Sequence, residues 1–160
     1  FAAKKGELEI VRSLLEAGAD IDATMTDQNA ENETALSQAA VGNRLDVVQL
    51  LIDYGADLDK AETLYNRSPI QGAAWYNNAE VVTLLLESGA DPNLHSTYGN
   101  GETPLHFAAR RGDLDFINTL FFQGAKINTA TSDGITPLQE ALNAGHDFVA
   151  NRLRMWGATE

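Results

Sequence analysis

Residues 101–125 read Gly-Glu-Thr-Pro-Leu-His-Phe-Ala-Ala-Arg-Arg-Gly-Asp-Leu-Asp-Phe-Ile-Asn-Thr-Leu-Phe-Phe-Gln-Gly-Ala, and the rest of the chain varies this stretch. Thr103 can cap the first backbone N–H groups of a helix, and Pro104 suits the first helical position, whose N–H would go unpaired anyway. Leu105, Ala108 and Ala109 then share one side of a short helix that Gly112 ends. A second helix carries Phe116, Ile117, Leu120 and Phe121 at helical spacing, and Gly124 closes its last turn in a left-handed conformation. Neither helix can bury its apolar face alone.

The pattern recurs. Gly-Ala pairs begin at Gly18, Gly55, Gly89, Gly124 and Gly157, with gaps of 37, 34, 35 and 33 residues. The pairs at Ala2, Ala39, Ala73 and Ala108, with Ala141-Leu142 as the fifth, keep the same gaps. The cap recurs at Thr34, Ser68, Thr103 and Thr136. Two independent markers in step at a period near 33 define a stacked solenoid. On these motifs the chain resembles the ankyrin-repeat family over essentially its whole length. The fold expected is all-α: a single domain over 1–160, built from helix-turn-helix units at about 1–20, 34–57, 68–91, 103–126 and 136–160, with hairpin-like finger loops between. First helices are predicted near 1–5, 35–41, 69–76, 104–111 and 137–144. Second helices are predicted near 8–17, 45–54, 80–88, 114–123 and 147–156.

Asn43 and Asn77 stand where other repeats have Gly6, Gly112 and Gly145, and asparagine is the side chain that best tolerates the left-handed turn. Leu8, Val11, Leu14 and Leu15 are expected on one buried side of the first repeat. That repeat opens partway through its first helix, which is the expectation for a piece of a longer chain. In the fifth repeat Asp147 and Arg154 replace Leu8 and Leu15, as a polar cap would. Met155 and Trp156 read as exposed, and Phe122 takes a place held by Glu16 and Glu87 as an isolated exposed aromatic.

The formal charge is −12, and residues 1–62 alone hold thirteen acidic and five basic side chains. Such a surface repels nucleic acid and anionic membrane. No apolar run approaches the ~20 residues of a membrane span. With no cysteine there is neither disulfide nor thiolate chemistry, and a reducing compartment, cytoplasmic or nuclear, is expected.

Catalytic and metal constellations are missing from the sequence. His95, His106 and His146 lack a second ligand at metal spacing, and His106 belongs to a capping motif. Asp20-x-Asp22 and Asp57-x-Asp59 are helix-to-turn junctions without the rest of a calcium loop. Gly99-Asn100-Gly101 is a turn, lacking the strand and third glycine of a dinucleotide fingerprint. No serine or threonine has a base and an orienting carboxylate in view. No enzyme activity, metal or cofactor is expected.

Recognition remains. The resemblance implies a concave surface lined by first helices and fingers, whose variable positions are the two residues after Ala-Ala, the residue before the cap and the finger tips. Among these, Trp75, Tyr76, Arg110, Arg111, Arg67, Tyr65 and Tyr98 all come from repeats 3 and 4, with Glu102 beside the fourth cap. Trp, Tyr and Arg most often dominate interface energetics. The partner expected is a protein or peptide, held by a monomeric scaffold or targeting module. An inhibitor that masks a working surface, or a plain spacer, would use the same residues. Connections four, one and two residues over standard argue against an engineered binder. The resemblance further implies Asn93 and Asn128 as positions for asparaginyl hydroxylation, each with a leucine (Leu85, Leu120) eight residues upstream.

Overall fold

The computed structural model describes residues 1–24, 33–60, 67–96 and 100–159. They form ten α-helices, with no strand among the described residues. The chain divides into two compact units, Phe1–Ala90 and Asp91–Glu160. The first holds α1 (Ala2–Lys5), α2 (Leu8–Glu16), α3 (Ala35–Val41), α4 (Leu45–Asp53), α5 (Pro69–Trp75) and α6 (Ala79–Glu87). The second holds α7 (Pro104–Arg111), α8 (Leu114–Phe122), α9 (Pro137–Asn143) and α10 (Asp147–Met155). Each predicted helix is present, with ends moved by one residue at most.

The helix starts follow the caps. Thr34 Oγ1 accepts from Ser37 N–H at 3.1 Å, while Ser68 and Thr136 donate their own N–H to Gln71 and Gln139 Oε1, each at 2.9 Å. The turns between paired helices need a left-handed residue, and Gly6, Gly112 and Gly145 supply it at φ of 80°, 73° and 76°. Asn43 and Asn77 adopt φ of 54° and 64° in the same place, the only non-glycine residues described with positive φ.

Layers of leucine fill each unit. Leu51 and Leu85 in the first unit, and Leu120 and Leu153 in the second, share one register and are fully buried. Leu14 holds that register in α2 and departs from expectation: half its surface is exposed, and only Val11 of the predicted set is buried. The four-residue α1 is too short to cover Leu14, and α2 packs against a second helix, α4, on one side only.

First-helix carbonyl ends are closed from the following repeat. Arg44 Nε donates to Lys4 O at 3.0 Å, Asn78 Nδ2 to Ala40 O at 2.7 Å, and His146 Nε2 to Arg110 O at 3.1 Å. The carbonyl can only accept, so His146 carries its proton on Nε2.

Candidate partner-binding surfaces

In the first unit, Trp75 ends α5 and Tyr76 caps it. Ala73 and Ala74 before them are buried, so the helix is anchored by its small residues while the two rings project, 43 % and 58 % exposed. Arg67, just ahead of the Ser68 cap, lays its guanidinium over the Trp75 ring at 4.4 Å from the centroid. The stack orders both side chains and leaves a broad amphipathic surface at this end of the helix. Tyr65 lies outside the described residues.

In the second unit, Arg110 and Arg111 form the last turn of α7. Arg110 is expected among the partner-binding residues, and in the structure it is engaged within the chain. Its Nη1 pairs with Glu102 Oε1 and approaches Glu140 Oε1 at 3.7 Å. Both carboxylates are partly buried and offset the charge of Arg110, while Arg111 is exposed at this helix end. Burial raises the Glu140 carboxyl above its ordinary 4.5, against the pull of Arg110. Glu140 escapes sequence reasoning because it precedes the Ala-Leu pair of its helix, outside the positions the repeat pattern leaves variable. Tyr98 lies outside the described residues.

His106 sits beneath this cluster, fully buried. Its Nδ1 accepts the Thr103 backbone N–H at 3.1 Å, which fixes the proton on Nε2, donated to Ile135 O at 3.1 Å. Burial lowers its pKa below the ordinary 6.5, more than the Ile135 carbonyl raises it. A neutral imidazole thus caps its own helix and ties it to the next finger. Backbone bonds close the fingers, among them Ser96 N–H to Glu102 O at 3.0 Å and Thr131 N–H to Ile135 O at 2.9 Å. The His95 ring adds a bond to Gly101 O at 3.1 Å.

Asn93 and Asn128 each bind the next repeat twice. Asn93 Nδ2 donates to Gly124 O and its Oδ1 accepts from Lys126 N–H, at 3.1 and 2.7 Å. Asn128 repeats this with Gly157 O and Thr159 N–H, at 3.1 and 3.0 Å. Asp22 and Asp57 do junction work: Asp22 Oδ1 accepts from Asp57 N–H at 3.0 Å, and Asp57 Oδ1 from Asp59 N–H at 3.0 Å. Among the described residues no group of three His, Cys, Asp or Glu side chains could hold a metal ion, and no helix is long and apolar enough to cross a membrane.

At the far end of the second unit, the Trp156 ring is not exposed as its sequence position suggests. It stacks on Phe121 with centroids 3.9 Å apart and planes 3° from parallel.

Comparison with known proteins agrees with this repeat architecture. The sequence model of a family described as ankyrin repeats (3 copies) matches residues 1–96 and 70–159. A probable E3 ubiquitin-protein ligase, XBOS33, of Oryza sativa subsp. japonica is 39 % identical over 62 residues, which is 39 % of this chain and 12 % of that protein. The ARF GTPase-activating protein Git of Drosophila melanogaster is 41 % identical over 51 residues, 32 % of this chain and 7 % of that protein. Ankyrin repeat protein OPG189 of Variola virus is 42 % identical over 45 residues, 28 % of this chain and 8 % of that protein. The chain therefore spans a small fraction of these relatives, and their named activities stay with them. With two overlapping matches that run from residue 1 to residue 159 and the repeat geometry in both units, the chain belongs to the ankyrin-repeat family, whose repeats are generally non-catalytic protein–protein interaction modules.

Proposed function

We propose that this chain holds a partner protein or peptide on its first-helix ends and fingers, acting as a scaffold or targeting module. The observation that carries the reading is the Trp75–Tyr76 pair: two large rings held at the end of a helix whose other face is buried, one of them already ordered by Arg67. An aromatic pair in that state offers area and polar handles at little entropic cost on binding.

The test is capture of partners on immobilised chain, followed by titration of the captured protein. Trp75→Ala is expected to weaken binding by about 2 kcal/mol or more. Glu87→Ala, at the end of α6, is expected to change it by less than about 0.5 kcal/mol. Arg111→Ala should cost less than Trp75→Ala, with a loss that shrinks at high salt if the bound segment is acidic. Wild-type affinity in Trp75→Ala would end this reading. An activity assay on the captured partner then separates a scaffold from an inhibitor.

A further inference from the structure

Between α4 and α6, in the first unit, lies an open groove of about 580 Å³, with Leu45 and Asp46 on one side and Glu80, Leu84 and Glu87 on the other. Leu45 is 39 % exposed and Leu84 partly so, which leaves an apolar floor within reach of a ligand. Asp46, Glu80 and Glu87 are exposed along the rim.

Helix geometry sets the spacing. Glu80, Leu84 and Glu87 follow one another at four and three residues, so they share one face of α6, with the outer two about 10.5 Å apart along the axis. Asp46 holds the register of Glu80 on the neighbouring helix, about 8–10 Å away. The three are too spread to hold a metal ion together.

The chain supplies no cation here. α4 and α6 carry Asp46, Asp53, Glu80 and Glu87 and no basic side chain. On α2 the same face has its own base: Arg12 Nε lies 3.9 Å from Glu9 Oε1. Gln49 and Thr83 take the Arg12 register in α4 and α6, and each bonds within its own helix, to Asp53 Oδ1 at 2.8 Å and Ala79 O at 3.0 Å. Arg44, just ahead of α4, is turned onto Lys4 O. In α8 the Glu87 register passes to Phe122, 79 % exposed, and the pattern ends.

We propose that this groove binds a helical segment of a partner protein that carries two lysines or arginines seven residues apart with an apolar side chain between them. A helix repeats the 10.5 Å spacing of Glu80 and Glu87 at i and i+7, and its residue i+3 or i+4 then falls on Leu84 and Leu45. An extended segment does not fit. Its residues two and four apart sit about 6.6 and 13 Å from each other on one face, and residues three apart point to opposite sides. Charge decides the occupant: the first unit holds fifteen acidic against six basic side chains, a field that draws a basic segment and repels a second copy.

The test is calorimetric titration of the 160-residue chain with an alanine-rich helical peptide of about 20 residues, bearing Lys at i and i+7 and Leu at i+4. Saturable binding is expected below about 1 mM. An isomer with its lysines at i and i+5, on different faces, should bind about tenfold more weakly. Glu80→Lys and Glu87→Lys should each weaken the matched peptide about fivefold or more, and the double variant should instead take a peptide with Glu at i and i+7. Both sites are exposed, and circular dichroism confirms that the variants stay folded. Glu9→Lys, the same charge change on α2, should leave binding within about twofold. Trp75→Ala should do the same, because Trp75 belongs to α5, so this groove and the aromatic surface are tested apart. Equal binding of the two lysine peptides, no binding up to about 1 mM, or an equal loss in Glu9→Lys or Trp75→Ala would each overturn the proposal. So would self-association of the chain that Glu80→Lys abolishes, which would name a second copy as the occupant.

Discussion

Leu85 is fully buried and Leu14, its register mate in α2, is half exposed, so the same side chain is worth different amounts at the two places. Leu85→Ala is expected to cost about 2–5 kcal/mol in urea unfolding, and Leu14→Ala under about 1.5 kcal/mol. Equal losses would contradict the burial that separates them. His106 gives a second prediction, in pH. Its folded pKa is lowered, so below pH 6.5 the unfolded chain takes up more protons than the folded one. Stability should therefore hold above pH 6.5 and fall as pH drops from there towards the folded value. Glu140 acts with the opposite sign: its raised pKa adds stability as pH falls through the folded value towards 4.5. His106→Gln copies the cap of Gln71 and Gln139. It should cost about 1 kcal/mol at neutral pH by losing the bond to Ile135 and should flatten the slope just below pH 6.5. A slope unchanged in that variant would assign the acid sensitivity elsewhere.

At the scale of the element, the turns carry the prediction. A Cβ on Gly112 would lie 2.6 Å from His146 Nδ1, whereas one on Gly124 meets nothing within 4 Å, although both have left-handed φ, 73° and 88°. Gly124→Ala should cost about 1–2 kcal/mol for backbone strain alone, and Gly112→Ala more. Repeating both in a His146→Ala background should remove the excess at Gly112, a coupling that calorimetry or urea melts can read. These helices were legible in the sequence because their ends carry local chemistry: a Thr or Ser cap before, a Gly or Asn turn after. The ties between repeats were not. Arg44, Asn78 and His146 do one job with three unlike side chains, so no repeated letter announces it. The Arg110–Glu140 contact spans thirty residues, and the Phe121–Trp156 stack thirty-five, and neither follows from helical spacing. Trp75 and Tyr76 stood out in the sequence because large rings follow an Ala-Ala pair that must be buried, and burial and exposure fell as that logic requires.

Over the whole molecule, charge decides the solution behaviour. The first unit holds fifteen acidic and six basic side chains, the second eight and five, so −9 and −3 make up the net −12. Ion pairs such as Arg12–Glu9 and the Arg110 contacts offset part of that excess. Raising salt from about 0.02 M to 0.3 M should relieve repulsion and stabilise the fold by roughly 1 kcal/mol, or about 2–4 °C in a thermal melt. A melting temperature that falls with salt would mean that favourable pairs outweigh the repulsion.

The fit between each turn and the residue that follows it one repeat on also gives the repeats an order. Arg44 and His146 are bulky, and each reaches back over a turn made of glycine: a Cβ on Gly6 would lie 2.9 Å from Arg44 Cδ, as one on Gly112 would collide with His146. Asn78 is short, and it follows the turn at Asn43, which already has a Cβ. The repeats are thus not interchangeable beads. A chain rearranged to set the fifth repeat behind the second would drive an asparagine side chain into an imidazole, and only a glycine-ended neighbour can stand in front of it. Duplication or splicing of this array is limited to successions in which a large hook meets a bare turn, a grammar written in side-chain size alone.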